Sequence, residues 1–360
     1  MSRSLNRVGK IAWLALLLAG SAWAQQPTVE KLLAEGHYGR ARPLVQAALE
    51  KHPQDINALV ALSTIQWAFG QLDAATATAE RAVLAADGSA AAHAQLLNVL
   101  GAKLADRRIG SFEKVGLARR FRHEADRTLQ LDPRNLYAHE ALARFYWYAP
   151  AIAGGGKSLA RQVVQKLVQL DGGRGYGMKA ELDATEGNPA AVQADWQQAV
   201  AANPGSYAAR VGLASCLLEA GSERAEEQAK KSLALDPSRI ASYRLLAAVH
   251  VARAQWDLLD AELNRARAAV PDDLAAEFAA AQAILDRNIA SQWGRAEQYL
   301  RDYLKQPSEG LEPTIALAHW RLGMVLEREG RRSAARSEVE TALRLDPSLD
   351  DARKDLRRLQ

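Results

Sequence analysis

One cysteine in 360 residues, Cys216, rules out an intrachain disulfide. Its setting, GLASCLLEAG, is an apolar helical stretch, so the thiol is expected as a packed small hydrophobe rather than a reactive group. The seven histidines, at 37, 52, 93, 123, 139, 250 and 319, contain no H-E-x-x-H and no closely spaced pair, so no metal is expected. No segment alternates apolar and polar residues as a half-buried strand must. No nucleophile elbow or paired-carboxylate loop stands out, so no catalytic residue is assigned and the chain is read as a non-enzyme without cofactors. A composition of 48% hydrophobic and 24% charged residues excludes disorder as well.

The amino terminus does carry a pattern. Arg3, Arg7 and Lys10 lead into the apolar run IAWLALLLAGSAWA, which is short for a membrane span, and Ala22-Trp23-Ala24 has the form of a cleavage site. Residues 1–24 read as a secretory signal peptide cut after Ala24, which puts the mature chain in the periplasm of a Gram-negative bacterium. No cysteine follows the cut, so neither lipid attachment nor other membrane association is expected. Without that segment, 43 basic residues face 42 acidic ones, so the pI near 9.1 is a poor reason to expect nucleic acid.

Prolines mark a period. Pro204 to Pro237 is 33 residues and Pro237 to Pro271 is 34, and each follows a similar helical segment: WQQAVAANP, AKKSLALDP, LNRARAAVP. The clearest copy is HWRLGMVLEREGRRSAARSEVETALRLDP, from His319 to Pro347. Trp320, Leu322, Met324, Val325 and Leu326 precede Gly330, and Ala335, Val339, Ala342 and Leu343 follow at helical spacing. Gly330 stops one helix, Gly323 and Ala335 supply small faces where the two cross, and Pro347 ends the second. This spacing resembles the tetratricopeptide repeat, with the helix-A tryptophan displaced to Trp320 and Leu326 where a tyrosine is usual. The resemblance implies an all-α, right-handed superhelical solenoid that binds other proteins or peptides in a concave groove lined by first helices.

About nine such pairs cover the mature chain. An amino-terminal array, 28–171, holds four units; a carboxy-terminal array, 172–348, holds five; residues 349–360 form a charged cap helix, because the last repeat has no neighbour to cover it. The third and fourth units depart from the period, with insertions at 107–117 and 147–158. Gly172, Gly173, Gly175 and Gly177 read as the loosest joint, where the array would flex.

Projecting the repeat register places Trp67, Tyr137, Glu140, Arg144, Trp147, Arg244, Trp320 and Met324 in the groove. Aromatic and arginine side chains bury much area per ordered side chain, which suits peptide recognition. The lysine and asparagine pattern of the family's peptide-tail clamp is not found. The expected function is therefore a periplasmic scaffold that binds another cell-envelope protein or an extended peptide; self-association stays open. One alternative is a cell-wall or polysaccharide binder with Tyr146, Trp147 and Tyr148 as aromatic shelves. Another is an enzyme built on the insertion, where AIAGGGKS, from Ala151 to Ser158, loosely fits a phosphate-binding loop with Lys157 on the phosphates. Its context fails: FYWYAP before it continues a helix instead of a strand, and Ser158 is expected to cap the helix that follows.

Overall fold

The computed structural model describes residues 27–106, 108–306 and 313–360. The signal-peptide segment, Arg107 and most of the exit QPSEGLEP lie outside them. Unit 1 pairs α1 (Val29–Glu35) with α2 (Tyr38–Lys51), unit 2 pairs α3 (Ile56–Ala68) with α4 (Leu72–Ala85), and unit 3 pairs α5 (Ala90–Ala105) with α6 (Ser111–Leu131). Unit 4 pairs α7 (Leu136–Tyr148) with α8 (Lys157–Leu170), unit 5 pairs α9 (Gly172–Ala184) with α10 (Pro189–Ala202), and unit 6 pairs α11 (Tyr207–Glu219) with α12 (Arg224–Leu235). Units 7 to 9 are α13 (Ile240–Ala252) with α14 (Trp256–Ala269), α15 (Ala275–Asp286) with α16 (Trp293–Lys305), and α17 (Ile315–Arg328) with α18 (Arg332–Leu345). A last helix, α19 (Asp350–Leu359), covers unit 9, so the chain is an all-α repeat solenoid with no strand among the described residues.

Local chemistry sets the unit. First helices start on side-chain caps: Asp55, Ser89, Asn135 and Ser206 each accept a hydrogen bond from the amide three residues on. In most units the chain reverses through one left-handed residue. Glycine takes that place at Gly36, Gly70, Gly187, Gly221 and Gly330, whereas units 7 and 8 force Ala254 and Asn288 into it at φ 54°. Where paired helices cross, only small side chains fit. Ala41, Ala75, Ala160, Ala225, Ala296 and Ala335 are all buried. A Cβ on Gly323 would come within 2.7 Å of Val339 Cγ2.

The insertion at 107–117 is taken up largely by α6, which begins at Ser111 and runs 21 residues against 14 for α4. Two expectations are corrected. The glycines of 172–177 are not a loose joint: they form the start of α9, with Gly173, Gly175 and Gly177 buried. A Cβ on Gly175 would sit 2.4 Å from the Val168 backbone, so the missing side chains let α8 and α9 touch backbone to backbone. Cys216 is half-buried, and burial first, then the charge of Glu219, pushes its thiol pKa up.

The solenoid curls far enough for its first unit to meet its seventh. His37, in the turn of unit 1, approaches the Ser238 carbonyl at 3.2 Å through Nε2 and Asp272 Oδ2 at 3.2 Å through Nδ1. Arg40 lies 3.4 Å from the same carboxylate. No helix among the described residues is long and apolar enough to cross a membrane.

Candidate binding site

The two departures from the period fall in consecutive units, and consecutive units of a solenoid are neighbours. Both stretches therefore end up on one cavity of about 900 Å³. Its floor is α5, where Leu97, Asn98 and Gly101 face it; Gly101 leaves room for the Phe121 ring, which stacks on Phe145 with centroids 5.0 Å apart. One wall is the extra length of α6, with Ser111, Lys114 and Val115. The opposite wall is α7 and the 3-10 turn Ala151–Ala153, with Tyr148, Pro150 and Ile152. Trp67 of α3 also lines it. Apolar side chains stay uncovered here: Ile152 and Tyr148, which line it, are 98% and 60% exposed, and Phe112, next in sequence to the lining residue Ser111, is 98% exposed. Soluble chains rarely leave such groups together in water without a use for them.

The charged groups at the cavity are donors. Arg144 binds Glu181 through two hydrogen bonds of 2.7 Å. Burial alone would lower its pKa, but the Glu181 carboxylate outweighs burial and holds the guanidinium above its ordinary value. Beside it Arg174 binds Glu140 at 2.6 and 2.8 Å, so a ladder of ion pairs ties α9 to α7. The Tyr137 hydroxyl donates to Asn98 Oδ1, and burial raises its pKa. Lys114 has no ion-pair partner among the described residues.

Of the residues expected in a groove, Trp67, Tyr137 and Arg144 line this cavity. Glu140 is spent on Arg174. Trp147 does not line this cavity: it touches a smaller one beside Arg161 and Lys179, is 7% exposed, donates through Nε1 to Thr185 Oγ1 at 2.8 Å, and packs among Ala143, Val164, Leu167 and Met178. Trp320 and Met324 serve the end of the stack. Trp320 Nε1 donates to Asp355 of α19 at 2.8 Å, and Met324 packs on the core beside Arg321. Arg244 is half-buried and lies near Asp273, away from the cavity.

Neither alternative gains support. Tyr146, Trp147 and Tyr148 are consecutive on a helix and point about 100° apart, so they cannot form one shelf. Tyr146 lies under Arg122, Trp147 is buried, and only Tyr148 faces water. In AIAGGGKS the glycine amides are already used, since Gly156 donates to Tyr146 O at 2.7 Å and Gly155 to Pro150 O at 3.1 Å. Lys157 is held by Glu186 at 3.0 Å and over the Trp147 ring at 4.6 Å. Ser158 does not cap α8; Gly156 occupies that position.

Sequence reasoning missed Asn98, Lys114, Val115 and Ile152. The usable signal was the adjacency of the two insertions, each of which carries an apolar residue with no place in the repeat register.

Tetratricopeptide repeat family models match residues 32–99, and 178–240 with 290–350, together more than half of the chain; the unmatched stretch 100–177 holds most of the cavity. No curated protein matches. Among solved structures, a thermophilic tetratricopeptide repeat protein of Thermus thermophilus is 22% identical over 53% of this chain and 95% of its own, with a TM-score of 0.46. Yeast Tom70 is 15% identical over 92% and 79%, at 0.48. A tetratricopeptide repeat protein from Parabacteroides merdae is 14% identical over 73% and 98%, at 0.49. Helix pairs, turn residues, small crossing faces and matched segments together make this chain a member of the tetratricopeptide repeat family.

Proposed function

We propose that this protein is a non-catalytic scaffold of the cell envelope that captures another envelope protein, with the cavity of units 2 to 4 as the recognition site. Repeats of this family generally mediate protein interaction, and this fold hosts many partners, so the choice of site rests on residues particular to this chain. The observation that carries it is the exposed apolar pair Tyr148 and Ile152 on a cavity built from the two stretches that leave the repeat pattern, with exposed Phe112 next in sequence to its lining residue Ser111. An apolar side chain of the partner would enter between α5, α6 and α7 while Tyr148 and Ile152 cover its flanks, the arrangement of an interaction hot spot. Export rests on the amino-terminal pattern ending at Ala24.

The test is photo-crosslinking in cells from position 112 or 152, with position 345 as the control, since Leu345 is also exposed but lies on α18. One envelope protein captured from 112 and 152 and not from 345 is expected. Equal capture from all three, or none, would overturn the site. Cell fractionation should find a mature chain starting at Gln25 in the periplasm; an uncut cytoplasmic chain would overturn the localisation.

A further inference from the structure

The cavity is larger and deeper than one side chain of a partner needs. At about 900 Å³ it lies within the roughly 300–1,000 Å³ of small-molecule sites. Leu97, Ala102, Val115, Phe121, Ala141 and Phe145 give it apolar walls. Among the described residues that line it, Lys114 and Arg144 are the only charged ones; both are cations, and none is a carboxylate. The charge of Arg144 is balanced by Glu181, whereas Lys114 makes no direct ion pair among the described residues and feels the Asp106 carboxylate only at longer range. Lys114 sits on the α6 extension, half-buried, so its methylene stem can follow the apolar wall while the ammonium stays at the water. Asn98 accepts from Tyr137, which leaves its amide nitrogen able to donate.

We infer that this cavity is a binding site for a long-chain monocarboxylate, its acyl tail lying along the apolar walls and its carboxylate meeting Lys114. A sugar would need many paired polar groups that these walls lack, and a nucleotide would need several cations around its phosphates. The inference rests on the reading of the cavity as the recognition site and adds a regulator to it. A bound acyl chain occupies the volume that a partner's side chain would enter, so carboxylate and partner compete.

Trp67, which lines the cavity, is the reporter. The full mature chain is titrated with dibrominated stearate, whose bromines quench tryptophan on contact; saturable quenching is expected, and Trp67→Phe should remove most of it. Saturated carboxylates of about eight to about eighteen carbons, used as competitors below their micelle concentrations, should gain roughly fourfold per added methylene until the cavity is full. The methyl ester and Lys114→Glu should each weaken binding roughly threefold to fivefold. Ala102→Trp, which fills the cavity, should abolish quenching, with its fold checked by circular dichroism. Absence of saturable quenching overturns the inference. So does quenching equal for acid, ester and Lys114→Glu, which would mark indiscriminate apolar contact. Crosslinked partner without carboxylate binding sinks the inference and leaves the scaffold standing; carboxylate binding without any partner does the reverse.

Discussion

Two helical glycines should respond to the same substitution with opposite signs. On α9, an alanine methyl at Gly175 would lie 2.4 Å from Val168 N and Cα and 2.6 Å from Val168 Cγ2, where ordinary contact starts at 3.4 Å. Two of those atoms are backbone, so no rotamer change relieves the clash; α8 and α9 must part by about 1 Å. Overpacking of this kind costs about 1–3 kcal/mol, and here the upper end applies. Better helix propensity returns about 1 kcal/mol, for a net loss of about 2 kcal/mol. On α6, a methyl at Gly116 meets nothing within 4 Å, so Gly116→Ala collects the propensity alone, a gain of about 0.5–1 kcal/mol. Thermal melts followed by circular dichroism should drop about 4–8 °C for Gly175→Ala and rise a few degrees for Gly116→Ala. Because units 4 and 5 pack chiefly on their neighbours in the stack, hydrogen exchange in Gly175→Ala should speed up in units 4 and 5 and hardly in unit 9. A Gly175→Ala midpoint at or above the parent's would refute the close-packed reading of α9 and restore a loose joint.

Three further outcomes follow from buried charges and one strained turn. Asp272 raises the pKa of His37; burial would raise that of Asp272, but His37 and Arg40 hold it below its ordinary value, with Glu35 and Asp273 also nearby. The contact between units 1 and 7 is then strongest between pH about 4 and the 6.5 of a free histidine, fading as pH rises through the raised His37 value or falls through the lowered Asp272 value. Exchange protection of α1 and α2 should fall roughly fivefold on going from pH 6 to pH 8.5, an effect of about 1 kcal/mol that His37→Ala should erase; a pH-independent parent would refute the contact. Glu277 is 1% exposed, burial raises its pKa, and Arg267 pairs with only one of its oxygens. The folded state therefore loses stability as pH rises above the ordinary 4.5. Relative to the parent, Glu277→Gln should be more favourable at pH 7 than at pH 4, while Arg267→Ala, which strands the carboxylate, should cost about 3 kcal/mol in urea denaturation. Ala254→Gly relieves a left-handed alanine and should raise stability by about 0.5–1 kcal/mol; a loss would show that the turn carries no strain.

What the linear chain determined is local. A glycine that ends one helix, an alanine where two helices cross and a proline that ends the second all act within one period, so Gly330, Ala335 and Pro347 could be read as a unit, and repetition did the rest. The charged last helix followed from the same logic, since the final apolar face needs a cover. Tertiary structure decided what depends on how units lie on one another. Glycine is ambiguous in a sequence: Gly175 permits flexion or backbone contact, and the position of Val168 chose contact. Trp147 and Tyr148 are neighbours in the chain, yet helical rotation put one in the core and left the other at the cavity mouth. The cavity itself exists because a lengthened α6 and a lengthened α7–α8 turn meet across a unit boundary, and the approach of His37 to Asp272 exists because small rotations accumulate over six units. Neither sum can be read from any one repeat.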